Sequence, residues 1–174
     1  MRQVLALVWR FLVIAPPCLV VWWWFLPAYG HLTGRVSALG AGMLGEYPEY
    51  LEIRSGGLLN TGTLVILSGD GRLCRFPLGK LATNMAPYVA LVFATPGLTT
   101  RRRLRALGLG AGLLLMSHVA YMALAFRFRE AIQASPALPS ALGEFVLMLP
   151  FVLWVVLVQG WSQFQRRIVP ETDG

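Results

Sequence analysis

The chain predicts an all-α membrane protein, with four transmembrane helices and a small extracytoplasmic β-meander between helices 1 and 2. Three observations predict it. Long apolar stretches lie at about residues 8–27, 82–98, 104–126 and 142–164. Eight arginines (Arg2, Arg10, Arg101, Arg102, Arg103, Arg105, Arg166 and Arg167) fall on one side of a membrane once the chain is threaded through those stretches. Only 13% of residues are charged and 56% are hydrophobic, against about 25% charged in an ordinary soluble domain. Short loops rich in Arg and Lys stay in the cytoplasm, so the chain is expected to start inside, cross four times and end inside.

The first stretch is an N-terminal anchor, residues 1–30. Its apolar run is too long for a secretory h-region and lacks a small-residue cleavage motif, so it is expected to stay uncleaved. Arg10 snorkels back to the inner surface, and Trp22, Trp23, Trp24 and Phe25 form an aromatic belt at the outer interface. Pro16 and Pro17 lack backbone N–H groups and are expected to kink the helix in mid-membrane. The second stretch is short, with Pro87 near its start and Pro96 near its end. It counts as a span because the Arg101–Arg105 cluster follows it directly and an even number of crossings keeps the basic groups together.

Residues 31–81 form the outer segment. Leu32, Val36, Leu39 and Met43 recur at helical spacing, which fits either a short amphipathic helix on the outer leaflet or an extension of the first helix. Beyond Pro48, Tyr50–Arg54 alternates apolar and charged residues, the period of a half-buried strand. Thr63–Leu67 and Arg72–Phe76 read as two more strands, the pair joined by Gly69-Asp70-Gly71. About thirty residues are too few to bury an independent core, so this part must lean on the membrane or on a partner. Residues 82–174 are a three-helix membrane region with a cytoplasmic tail, broken by a short outer loop at 127–143 around Pro136 and Pro139.

The net charge of +7 is topological. The cytoplasmic segments hold eight Arg against Glu171 and Asp173, while 28–81 carries five basic and four acidic residues. Juxtamembrane Arg faces anionic headgroups, and no basic-aromatic patch grips a phosphate backbone, which excludes nucleic acid as a partner. The partners expected are the lipid bilayer and a larger integral membrane protein or complex.

Candidate chemistry is sparse. His31 lies at the interface and His118 deeper, so they do not form a haem-ligating pair; His118 reads as a helix–helix contact. Ser117-His118 has no acidic orienter. Cys18 and Cys74 show no zinc spacing. Cys18, His118 and Arg127 are the residue types of a membrane cysteine transpeptidase, but Cys18 sits mid-helix, where burial keeps a thiol unreactive. Glu144 lies at the lip of the fourth helix, and deeper charge of the kind an ion path needs is lacking. Gln159 and Gln163, near its inner end, read as interfacial hydrogen bonders. No catalytic residue, metal or cofactor is assigned. Gly108, Gly110 and Gly112 mark close helix packing, with Gly108, Gly112 and Trp22–Trp24 the expected partner or lipid interface and Arg101–Arg103, Arg105, Arg166 and Arg167 the topology-setting residues.

Two segments resemble a family. Val20–Tyr29 (VVWWWFLPAY) ends the first helix in tryptophans, and Asn84–Leu107 (NMAPYVALVFATPGLTTRRRLRAL) runs from an Asn through a short apolar helix and Ala-Thr-Pro into a basic run. In layout and in that pattern the chain resembles the small accessory membrane proteins found beside exosortases in Gram-negative bacteria. The compact outer segment and the ending after the fourth helix depart from that family. The resemblance implies a non-catalytic accessory or scaffold role near a protein-sorting transpeptidase of the bacterial inner membrane, and it brings no catalytic residues. Two other expectations stay open: a peripheral subunit of a pigment- or haem-containing energy-converting complex, and the cysteine enzyme itself. A lipid- or polysaccharide-export component fits the tryptophan cluster equally well.

Overall fold

A computed structural model describes residues 2–43, 45, 48–54, 63–68, 73–77, 83–128, 130 and 137–160. Helix α1 runs from Arg2 to Met43. Strands β1 (Pro48–Arg54), β2 (Thr63–Ser68) and β3 (Leu73–Pro77) follow, then α2 (Met85–Ala94), α3 (Thr100–Arg127) and α4 (Ala137–Trp154), which continues as a π-helix over Val155–Gly160. The strands pair antiparallel in the order β1-β2-β3, with Leu51 opposite Ile66 and Ile66 opposite Cys74.

Helix α1 is assigned without a break through Pro16, Pro17 and Pro27. Residues 31–43 extend the first helix, the second of the two arrangements their spacing allowed. Its packed face is the small one. Leu26, Gly30, Thr33, Gly34, Ser37 and Ala41 are buried, whereas Leu32, Leu39 and Met43 point outward. Helix α3 is mixed: Ala106, Gly110, His118 and Ala123 face in together with Leu114, Val119, Met122 and Phe126, while Leu104, Leu109, Leu113 and Met116 face out. The small packed face of α1 is how helices pack when lipid is the solvent, because close backbone approach rather than water exclusion drives association.

The four-span fold class is corrected by helix length. At 1.5 Å per residue, a bilayer core of about 30 Å needs about 20 residues. Among the described residues two helices are long and apolar enough to cross a membrane, Val4–Met43 and Thr100–Arg127. Helix α2 has 10 residues and reaches about half-way; the apolar part of the last helix, Glu144–Val158, is also short of a full span. The predicted second span fails because Pro96 and Gly97, the latter at φ +76°, turn the chain directly into α3. An extracytoplasmic β-meander set between two spanning helices is overturned by the same finding, since the helix after the strands does not span.

The core gathers Met85, Tyr88 and Val92 of α2, Ala106 and Leu114 of α3 and Val158 of the π-helix, with Trp22 and Tyr29 of α1 packed against it. Pro87 sits in the first turn of α2, where its missing N–H would have no intrahelical acceptor anyway.

Candidate functional site

Polar side chains stitch the helices together. Tyr29 on α1 places its hydroxyl 2.5 Å from Nδ1 of His118 on α3. Its ring meets the Trp22 ring edge-on at 5.1 Å and the His118 imidazole edge-on at 5.9 Å. His118 is wholly buried. Eight residues above Tyr29, Ser37 Oγ donates to the Val119 carbonyl at 3.4 Å. One turn further, a Cβ built at Gly40 would touch that of Ala123 at 3.6 Å. Successive positions on α1 thus meet successive positions on α3, so the two helices run the same way. The start of α1, with Arg2 and Arg10, and the start of α3, with Arg101–Arg105, share one end of the bundle.

Helix α2 is locked by three contacts. Tyr88 donates to the Ala106 carbonyl at 2.6 Å, its ring lying against Gly110. Thr95 Oγ1 accepts from Trp154 Nε1 at 2.9 Å. Asn84 Nδ2 donates to the Val146 carbonyl at 2.8 Å. That last bond answers a defect written into the sequence. The Val146 carbonyl would ordinarily accept from residue 150, which is a proline without an N–H. Asn84, 2% exposed, supplies the missing donor, and an unpaired backbone carbonyl in a bilayer would cost several kcal/mol.

The helices are also staggered. Tyr29 and Gly40 lie farther from the start of α1 than His118 and Ala123 lie from the start of α3. The offset is roughly nine to fifteen residues, or about 14–22 Å of α1 projecting past the arginine end of α3. That projecting part is mostly apolar, and among the described residues Leu5 is 74% exposed, Trp9 68%, and Val8, Leu12 and Val13 are exposed with them. Pro16 and Pro17 stand where it leaves the bundle.

Of the predicted interface residues, Trp22 is half-buried inside the bundle, Trp23 is exposed and Trp24 is 83% exposed. Gly108 and Gly112 face open space; the close approach belongs to Gly110 alone of the three. Arg101, Arg102 and Arg105 are exposed, and Arg103 turns inward, donating to the Thr95 carbonyl at 3.4 Å and lying 5.8 Å over the Phe93 ring. Arg166, Arg167, Gln163 and the Gln159 side chain lie outside the described residues.

The residue sets considered for chemistry are not brought together. Cys18, a free and half-buried thiol, lies about 16 Å along α1 before Tyr29, and Arg127 about 13 Å along α3 beyond His118. Because the helices are parallel, these offsets put Cys18 and Arg127 at opposite ends of the bundle. His31 is exposed and His118 buried, so they do not share a site. Among the described residues no group of His, Cys, Asp or Glu is arranged to hold a metal ion.

Sequence reasoning passed over Tyr29, Asn84 and Tyr88 as site residues. The signal for Asn84 was present: a carboxamide opening an apolar segment is costly unless something needs it. Comparisons with protein-family models, with curated proteins and with solved structures find no match to this chain.

Proposed function

We propose that this chain is an integral membrane protein that acts as a non-catalytic accessory subunit, clasping a larger integral membrane protein through the first turns of α1. One observation carries the reading. The segment from Val4 to Val13 is helical and, Arg10 apart, apolar, and among the described residues Val4, Leu5, Val8, Trp9, Leu12 and Val13 are exposed. A helix hydrophobic all round belongs in a core or a bilayer, not in water or flat on an interface. With α3 in the bilayer and Arg101–Arg105 at the cytoplasmic surface, the stagger carries these turns out of the hydrocarbon, and a partner protein is the cover this reading gives them.

The small packed face of α1 and the exposed large apolar residues of both α1 and α3 support bilayer residence, and the parallel course of the two helices supports placing the N-terminus and the Arg101–Arg105 cluster in the cytoplasm. The resemblance of Val20–Tyr29 and Asn84–Leu107 to exosortase-associated accessory proteins makes a bacterial inner-membrane sorting transpeptidase the first partner to look for.

The test is a mild-detergent pull-down of the tagged protein from its native membrane, with mass spectrometry and an absorption spectrum of the eluate. A stoichiometric membrane partner is expected, and it should be lost when Leu5, Val8, Trp9 and Leu12 are replaced by Ser while the remaining helices stay folded. A colourless, monodisperse protein without a partner refutes the reading; a haem or pigment band in the eluate moves the partner to an energy-converting complex.

A further inference from the structure

We draw no further inference here: the strongest candidate, the buried His118 imidazole between α1 and α3, whose Nδ1 is held by the Tyr29 hydroxyl and whose Nε2 has no hydrogen-bond partner among the described residues, carries nothing because the packed helices leave that nitrogen almost no accessible surface at which a water or a ligand could sit.

Discussion

Replacing Gly110 by alanine sets a methyl group where the Tyr88 ring already is. The new Cβ would overlap the hydroxyl, Cζ and Cε1 of that side chain. Tyr88 has no room to yield, being wholly buried, with its hydroxyl held by the Ala106 carbonyl at 2.6 Å. Overpacking of this kind costs about 1–3 kcal/mol, and displacing the hydroxyl from its acceptor adds about 1–3 kcal/mol if it stays buried. Helix propensity returns about 1 kcal/mol, since alanine replaces glycine in a helix interior. The net destabilisation is about 1–5 kcal/mol. The neighbouring positions give the control. At Gly108 and Gly112 a Cβ meets nothing within 4 Å, so alanine there should be neutral or stabilise by up to about 1 kcal/mol. The assay is thermal unfolding of the three variants in one detergent, with the Gly110→Ala Tm expected about 2–20 °C below wild type. Tyr88→Phe should not relieve the clash, because Cζ and Cε1 remain, whereas Tyr88→Leu should make Gly110→Ala cheaper than in the wild-type background. Equal effects at all three glycines would refute the packing argument and leave only propensity.

Tyr29→Phe leaves His118 Nδ1 buried without its partner and should cost about 1–3 kcal/mol; the Tyr29→Phe/His118→Leu pair, measured by the same unfolding assay, should cost less than the sum of the single changes. Asn84→Leu strips the Val146 carbonyl of its donor, and the loss in Tm should shrink in a Pro150→Ala background, where residue 150 regains an N–H; additivity between the two would show that the carboxamide does not serve that carbonyl. Cys18→Ala should change neither the amount of protein in the membrane nor its co-purifying partner, both read by quantitative immunoblot, and loss of a partner-dependent reaction without loss of protein would restore the cysteine enzyme.

Several features were legible in the residues because they depend on local composition. The apolar runs beginning at Val8 and Leu104 were readable as spanning helices because each is long enough by itself. The run at 82–98 was misread for the same reason: hydropathy counts apolar residues but does not see that Pro96 and Gly97 reverse the chain after ten helical residues. For residues 31–43 the spacing allowed a surface helix or an extension of the first helix, and it did not single out the packed face. In α1 Leu32, Leu39 and Met43 are exposed and Thr33, Ser37 and Ala41 are buried. Among the three alternating glycines, spacing alone could not single out Gly110, because only the position of Tyr88, 22 residues earlier in the chain, distinguishes it.

By itself the sequence determined a basic chain of apolar helices and which end of the long helices carries the arginines. Those follow from composition and order, which no folding alters. Only the tertiary structure decided that α1 overshoots α3 and that Asn84 completes the Val146 carbonyl left open by Pro150. Each of these is a meeting of residues far apart in the chain, set by how staggered helices pack, and no local pattern of residue types encodes that offset.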